Sequence, residues 1–185
     1  MDESNKYLDI GAQAYQVGNY EEAQKYYEKS AQLGNSQAAC NLGYIYEYGR
    51  TGEKNPEKAF YYYNEAAMED NANACYKMGD AYLYGDFVQE NHRLAFLYYQ
   101  QALDLSRTYG EDDIKSDIYY RVALCYYDGI GVKKSYLEAL NWINQAHTYS
   151  YYDRFNDKFM WQSTARRIAN LREKIIRKLD AGKNN

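Results

Sequence analysis

The segment Leu42–Ala67 reads LGYIYEYGRTGEKNPEKAFYYYNEAA, and its pattern decides the fold. Leu42-Gly43 begins an apolar run with spacings of three and four residues, and Gly49 ends that run. Ala59, ten residues after Gly49, opens a second run with the same period. Apolar residues at this period lie on one face of a helix, whereas a strand alternates every two residues. The segment therefore predicts two helices joined by a glycine-containing turn.

The same pattern recurs along the chain. The alanine that opens the second run occurs four times, 36, 36 and 44 residues apart, at Ala23, Ala59, Ala95 and Ala139. A nearly fixed interval of this size indicates one two-helix unit that is copied along the chain, so that each copy packs against the next. We therefore predict an all-α protein, an α-solenoid of about four helix-turn-helix repeats followed by a C-terminal capping helix.

The predicted boundaries follow from these spacings. Residues 1–185 form a single repeat domain, with repeats at 7–35, 36–71, 72–117 and 118–154, a capping helix at 155–180 and a tail at 181–185. Eight extra residues between the last two repeats fall within 104–117. We expect them to form a loop, since insertions in repeat proteins usually emerge as loops. The capping helix is expected to cover the apolar side of the last repeat.

Small residues and helix caps recur at equivalent places. The first helix of each unit carries a small residue where the second helix is expected to approach closely, at Gly11, Gly43, Gly79 and Ala123. Glycine inside a helix costs about 1 kcal/mol relative to alanine, so its recurrence indicates close packing. First helices end in glycines that favour the left-handed conformation, at Gly18, Gly49, Gly85 and Gly129. Second helices begin with capping residues at Asn19, Asn55-Pro56 and Ser135.

Composition and charge narrow the class of partner. The 185 residues include 25 tyrosines and carry a net charge of −4. Residues 161–185 contain seven Lys/Arg and two Asp/Glu, a charge of +5, which leaves −9 for the rest of the chain. The acidic remainder would repel phosphate groups, so we predict no binding to nucleic acid. The basic end could instead meet the acidic body of a second copy, which would give a weak homo-oligomer through the C-terminal helix.

No residue is assigned to catalysis, to a metal or to a cofactor. The three cysteines, Cys40, Cys75 and Cys125, lack the spacing of a metal site, and His92 and His147 have no neighbouring nucleophile. The first residues lack the pattern of a secretory signal, and no apolar run is long enough to cross a membrane. We therefore expect a cytoplasmic protein that uses no cofactor and does not bind membranes.

The units resemble the Sel1-like repeat, a relative of the tetratricopeptide repeat. The resemblance is carried by Leu42-Gly43-x-x-Tyr46-x-x-Gly49, then Ala59-x-x-Tyr62-Tyr63-x-x-Ala66-Ala67, and by Gly129-Ile130-Gly131 in the last unit. The first unit is closer to an ordinary tetratricopeptide repeat through Gly18-Asn19-Tyr20-Glu21-Glu22-Ala23. The resemblance implies a right-handed superhelix with a concave, protein-binding surface, and family members act mostly as adaptors, co-chaperones and scaffolds. The cysteine pairs of some secreted relatives are absent from this sequence, so any activity tied to that subgroup does not transfer.

The helical period also predicts which residues line that concave surface. If Leu42, Gly43 and Tyr46 face the second helix, residues about 200° around the axis face the groove. The same register applied to each unit predicts Tyr44, Glu47 and Tyr48, then Asn73, Tyr76, Asp80 and Tyr84, then Asp117, Tyr120, Tyr127 and Asp128.

This surface of tyrosines and carboxylates predicts binding of a peptide or a segment of another protein. A lysine or arginine in the partner would be attracted to each ring by roughly 0.5–2 kcal/mol. Three alternatives stay open. The tyrosines could pack between units while the acids form a solvated face, the protein could be a secretion-type chaperone for an unfolded client, or an enzyme could assemble its site across repeats.

Overall fold

The computed structural model describes residues 2–110 and 112–182. These residues form nine α-helices and no strand, which confirms the prediction of an all-α chain. The chain divides into two compact units, Met1–Glu90 and Asn91–Asn185. The first unit contains α1 (Glu3–Gln16), α2 (Tyr20–Gln32), α3 (Ser36–Tyr48), α4 (Pro56–Met68) and α5 (Ala72–Tyr84). The second contains α6 (His92–Tyr109), α7 (Lys115–Asp128), α8 (Tyr136–Phe155) and α9 (Trp161–Gly182).

The first unit is built from helix pairs. Helix α1 packs on α2, and α3 packs on α4. Helix α2 also contacts α3, and α4 also contacts α5. The Ser30 hydroxyl near the end of α2 donates a 2.7 Å hydrogen bond to the Ser4 carbonyl oxygen near the start of α1, so these helices run antiparallel. Small, aliphatic and aromatic side chains form a buried cluster between α1, α2 and α3, consisting of Ala14, Ala23, Tyr27, Ala38, Leu42 and Ile45.

Glycines in α1 and α3 allow the paired helix to approach. A Cβ atom on Gly11 would lie 2.7 Å from the Tyr27 ring, and one on Gly43 would lie 2.4 Å from the Tyr63 ring. Both rings are buried and belong to the second helix of the pair. No side chain larger than hydrogen fits at these separations without movement, so the predicted packing role of these two glycines is confirmed.

Side chains and glycines cap most helices. The side-chain oxygen of Asn19, Asn55 or Ser135 accepts the N–H three residues further on, as predicted. Three more asparagines, whose capping role was not predicted, do the same at Asn35, Asn71 and Asn91. The predicted left-handed glycines are confirmed, with φ between 62° and 79° at Gly18, Gly49, Gly85 and Gly129. These termini therefore have local partners for groups that the helix itself leaves unpaired.

Most of the insertion in the second unit lengthens a helix, whereas a loop within 104–117 was predicted. Helix α6 has 18 residues, against 13 in α4, the second helix of the preceding repeat. Leu103 and Ser106 are buried, so one face of the lengthened helix is stabilised by packing. Gly110 ends the helix with a φ of +72°, and residues 110–114 connect it to α7, with Glu111 outside the described residues.

The C-terminal cap begins six residues later than the predicted 155–180. Helix α8 continues to Phe155, and α9 starts at Trp161. Asp157 and Met160 have φ values of +49° and +61°, and these left-handed conformations interrupt the helical backbone between α8 and α9. Helix α9 packs on α8 and α7 through the buried side chains of Ile168, Leu171 and Ile175. Of the predicted tail at 181–185, the first two residues belong to α9 and 183–185 lie outside the described residues.

Candidate functional site

The ten residues predicted to line a groove lie on three helices, and each keeps part of its surface in solvent. Tyr48, Tyr84 and Asp128 are exposed, and the others are half-buried. The first unit holds seven of them, Tyr44, Glu47 and Tyr48 on α3 and Asn73, Tyr76, Asp80 and Tyr84 on α5. The second unit holds Tyr120, Tyr127 and Asp128 on α7, with Asp117 at the start of the same helix.

A lysine that the sequence analysis did not identify organises the predicted residues on α3. The Lys77 ammonium group lies 2.9 Å from a Glu47 carboxylate oxygen and 4.8 Å, 5.7 Å and 5.8 Å from the ring centroids of Tyr44, Tyr48 and Tyr63. The Tyr63 hydroxyl donates a 2.5 Å hydrogen bond to the same carboxylate. We call these five residues the Lys77 cluster. The Lys77 ammonium group therefore lies over tyrosine rings to which a lysine or arginine of the partner was predicted to bind.

Burial and charge set the protonation states within the Lys77 cluster. Burial opposes the charge of Lys77, but the attraction and hydrogen bond of Glu47 outweigh it, so the pKa of Lys77 is raised. Burial, followed by nearby negative charge, also holds the pKa values of Tyr44 and Tyr63 well above the usual value for tyrosine. At neutral pH Lys77 is therefore a charged ammonium group, and the phenols of Tyr44 and Tyr63 are neutral.

A cleft of about 480 Å³ lies beside the Lys77 cluster. We call it the aromatic cleft. Helices α3, α4 and α5 and the loops after α3 and α5 supply its lining, which consists of Glu47, Lys54, Pro56, Ala59, Phe60, Tyr63, Lys77, Asp80, Ala81, Tyr84, Asp86 and Phe87. Glu47, Asp80 and Tyr84 belong to the predicted groove, whereas Phe60 and Phe87 do not. The structure thus places part of the predicted face in a concave site large enough for one or two side chains of a partner.

Phe87 is held in an unusual backbone conformation at the edge of the aromatic cleft. Its φ is +66°, which is uncommon for a residue with a bulky side chain. The ring is 55% exposed, and its centroid lies 5.9 Å from that of Phe60. Residues held in sparsely populated backbone regions often occur at functional sites. No sequence pattern indicates this position, because the left-handed conformation usually falls to glycine or asparagine.

The aromatic cleft carries a negative net charge and lies in an acidic unit. Its five charged lining residues are Glu47, Asp80, Asp86, Lys54 and Lys77, which give a net charge of −1. The first unit contains seven Lys/Arg and fifteen Asp/Glu, a charge of −8. The potential around the aromatic cleft therefore favours a cationic segment over an anionic one.

In the second unit, predicted groove residues contact α8, α9 and the turn between these two helices. The Asp117 carboxylate lies 2.8 Å from the Lys158 ammonium group and 3.2 Å from the Arg167 guanidinium. The same guanidinium lies 5.3 Å from the Tyr120 ring centroid, while the Tyr127 ring contacts Tyr136. Part of the positive charge near the start of α9 is thus neutralised within the second unit.

Residues 2–110 and 112–182 contain no group of three or more His, Cys, Asp or Glu side chains placed to hold a metal ion. Within the same residues, no helix combines the length and apolar character needed to span a bilayer. All three cysteines are buried thiols without a disulfide, and burial raises the pKa of Cys75 to about 12.

These features define an all-α helical-repeat protein. Its repeats match the sequence model of a known family. The model described as Sel1 repeat matches residues 9–35, 36–71, 72–106 and 116–146. The matches cover more than half of the chain, so the chain belongs to the Sel1 repeat family. Sel1 repeats are commonly protein-interaction modules.

Solved structures share the fold. A Sel1 repeat protein from Oxalobacter formigenes is 29% identical with a TM-score of 0.70, and the match covers 80% of this chain and 57% of that one. The protein c5321, a protective antigen of uropathogenic Escherichia coli strains with an SLR fold, is 24% identical with a TM-score of 0.66. That match covers 95% of this chain and 38% of c5321. The predicted fold class, an α-solenoid of helix-turn-helix repeats, is confirmed.

A curated relative matches a shorter part of the chain. The putative beta-lactamase HcpE of Helicobacter pylori strain J99 is 42% identical over 48 residues, which are 26% of this chain and 14% of HcpE. This chain therefore spans less than two thirds of the length of HcpE and of each of the two solved structures described above.

Proposed function

We propose that the protein is a non-catalytic adaptor or scaffold that holds a peptide or protein segment against the tyrosine- and carboxylate-bearing face of α3 and α5. The observation that carries this proposal is the aromatic cleft, where partly exposed rings stand on helices beside acidic side chains. Apolar clefts with a few polar groups are typical ligand sites, and aromatic residues are enriched in protein interfaces.

The Lys77 cluster restricts where the partner makes its contacts. Because Lys77 already lies over the rings on α3, a cation of the partner is better placed at the aromatic cleft, near Asp80 and Asp86. An apolar side chain in the cleft would be removed from water against Tyr84 and Phe87, both more than half exposed. A segment with an apolar residue next to Lys or Arg therefore matches the site best.

A triple substitution on α5 tests the proposal. We expect Tyr76→Ala, Asp80→Ala, Tyr84→Ala to lose proteins that the wild type captures from native lysate, measured by quantitative mass spectrometry. A matched control is Tyr61→Ala, Glu65→Ala, Met68→Ala, three exposed residues of α4 outside the lining of the aromatic cleft. Circular dichroism establishes that both variants are folded. Equal capture by the wild type and the folded α5 variant would contradict the proposal.

The state of the captured protein separates an adaptor from a chaperone. An adaptor binds a folded partner or a short segment of one, whereas a secretion-type chaperone keeps its client unfolded. Limited proteolysis of the purified complex distinguishes them, because an unfolded client is cut throughout its length. A client protected only where it contacts this protein would support the chaperone.

A role without catalysis and a cytoplasmic location are further parts of the proposal. The name of HcpE refers to beta-lactamase activity, but the match covers only 48 residues. We expect no hydrolysis of a chromogenic cephalosporin above the uncatalysed rate, and measurable turnover would overturn this part.

Three buried thiols without a disulfide fit a reducing compartment, and fractionation of the native host tests the location. Binding through Tyr120, Tyr127 and Asp128 on α7 also stays a prediction.

A further inference from the structure

Three apolar side chains project into solvent where α8 is joined to α9. Phe155 is 88% exposed, Phe159 is 87% exposed and Met160 is 57% exposed. Single exposed apolar residues are ordinary, but here three lie within six residues of one another, and groups of exposed apolar side chains mark interaction surfaces. We call these three residues the aromatic tip.

Hydrogen bonds and an ion pair hold the backbone of the aromatic tip. The Lys158 N–H donates to the Asp153 carbonyl oxygen at 2.9 Å, and the Asp157 N–H donates to the Arg154 carbonyl oxygen at 3.3 Å. This pair of bonds closes the end of α8, with Asp157 in the left-handed conformation. The Lys158 ammonium group is in turn 2.8 Å from the Asp117 carboxylate on α7. The backbone that carries the rings is thus held in place, which reduces the entropy lost on binding.

Charge distinguishes the unit that carries the aromatic tip from the unit that carries the aromatic cleft. Residues 91–185 contain fifteen Lys/Arg and eleven Asp/Glu, a charge of +4, against −8 for residues 1–90. Beside the aromatic tip, the exposed Arg154 side chain lies 5.5 Å from the Trp161 ring centroid. At the aromatic cleft, the Asp86 side chain is exposed. The aromatic tip of a basic unit and the aromatic cleft of an acidic unit are therefore complementary in charge.

We infer that the aromatic tip of one copy of this protein docks in the aromatic cleft of a second copy. Phe155 and Phe159 leave water against the ring of Phe87, and Arg154 meets Asp86. This inference rests on the proposed function, because it gives an occupant to the same cleft. It also changes the predicted homo-oligomer, since the contact is made by the turn before α9 rather than by the basic face of that helix.

The proposed interface joins two different surfaces, so association runs head to tail. A bound copy still presents its own tip or cleft, and growth does not stop at a dimer unless a ring closes. Opposite charges attract across the interface, so association weakens as salt screens them. Both properties can be measured on the purified chain.

Sedimentation velocity over a series of concentrations tests the inference. At about 0.1 M NaCl we expect the average mass to exceed the 21.7 kDa monomer and to rise with concentration. At about 1 M NaCl the association constant should fall several-fold. The double variant Phe155→Ser, Phe159→Ser should remain monomeric. The control Val17→Ser, Met68→Ser removes two side chains that are also exposed, 81% and 77%, and should associate like the wild type.

Mixing two defective variants provides a sharper test. Asp86→Lys impairs the cleft but leaves the tip, whereas Phe155→Ser, Phe159→Ser impairs the tip but leaves the cleft. Each variant alone should be monomeric, and an equal mixture should form a dimer with one intact interface. The dimer should not grow further, because no second complementary pair of surfaces is left.

Three outcomes overturn the inference. A wild-type chain that sediments as a monomer at every concentration and salt has no such interface. A mixture that stays monomeric while the wild type associates assigns association to other surfaces. A monomeric wild type whose binding to vesicles of phosphatidylcholine and phosphatidylserine depends on Phe155 and Phe159 assigns the tip to a membrane. Suppose that one of these outcomes is observed and the α5 triple variant loses a protein that the wild type captures. The proposed function then stands, but the occupant of the cleft is not a second copy. If the α5 triple variant captures the same proteins as the wild type, both proposals fail.

Discussion

The ammonium group of Lys77 on α5 lies 2.9 Å from a carboxylate oxygen of Glu47 on α3, so an ion pair joins two successive repeats. The Lys77 side chain is only 12% exposed and that of Glu47 is 35% exposed. A partly buried pair of this kind loses hydration on folding, and it is stabilising only while both partners are present and hydrogen-bonded. The wall of the candidate site is therefore held by an interaction internal to the protein.

Removal of Lys77 should destabilise the first unit. We expect Lys77→Met to lower the free energy of unfolding by about 1–3 kcal/mol, because Glu47 would keep a partly buried charge without its cation. The double variant with Glu47→Gln should be less destabilised than the sum of the two single variants. Urea denaturation of all four proteins measures this coupling. Strictly additive effects would show that the pair contributes no net interaction.

The Lys77 cluster should also make stability depend on pH in the alkaline range. The pKa of Lys77 is raised in the folded state above the unfolded value of 10.5. A raised lysine pKa contributes stability that is fully present below the unfolded pKa and is lost as pH rises through the folded pKa. The stability advantage of the wild type over Lys77→Met should therefore shrink with pH above this value. Urea titrations from neutral to alkaline pH measure it, and a growing advantage would contradict the assignment.

Substitution of Gly43 should strain the contact between α3 and α4. A Cβ atom at this position would lie 2.4 Å from the Tyr63 ring, so Gly43→Ala must displace the ring or separate the helices. We expect a loss of about 1–3 kcal/mol in thermal or urea unfolding, even though alanine is the better helix former. Combination with Tyr63→Leu, which removes the ring, should relieve part of the loss. An unchanged or increased stability of Gly43→Ala alone would contradict the close packing.

The buried carboxyl group of Asp153 should affect stability under acidic conditions. Burial raises its pKa above the usual 3.8 although the Ser116 hydroxyl donates to it and Lys158 lies 3.6 Å away. In the window between the unfolded and folded pKa values, the folded state binds more protons, so stability rises as pH falls. Wild type should therefore gain stability relative to Asp153→Asn between pH 7 and the unfolded pKa of 3.8. Urea denaturation across this range measures the difference, and the opposite trend would contradict the raised pKa.

The three cysteines should resist modification in the native protein. Cys40, Cys75 and Cys125 are buried, and the pKa of about 12 for Cys75 leaves very little thiolate near neutral pH. We expect almost no reaction with a thiol-specific disulfide reagent under native conditions and reaction of all three thiols in urea. Absorbance of the released thiolate gives the count. Rapid labelling of the folded chain would contradict their burial.

Helix pairs could be predicted because their signals are local. A cap such as that of Asn19 spans three residues, and the small residue at Gly43 belongs to the same repeated pattern as Ala59. The extra turn of α6 was not predicted, because its persistence to Tyr109 depends on the burial of Leu103 and Ser106 rather than on a sequence motif. The late start of α9 was missed for a related reason, since Met160 adopts a left-handed backbone conformation that its residue type rarely indicates.

The candidate site was predicted in part. Helical period alone places Asn73, Asp80 and Tyr84 on one face of α5, and Lys77 lies at the same spacing from them. That spacing could have identified Lys77 as a member of the face, but not its ion pair, because the distance between α3 and α5 depends on how the repeats stack. Phe87 could not be predicted, since its ring reaches the aromatic cleft only through the backbone of the loop after α5.

The amino-acid sequence by itself determined the class of fold, the helix pairs and the faces on which tyrosines and acids stand. Each of these depends on interactions between residues a few positions apart, which a helical period and capping residues reveal directly. The tertiary structure decided that Lys77 occupies the tyrosine rings and that a cleft opens beside it. It also decided that Phe155 and Phe159 remain in solvent. These features depend on side chains brought together from separate helices, or left without a neighbour, and no local spacing specifies that outcome.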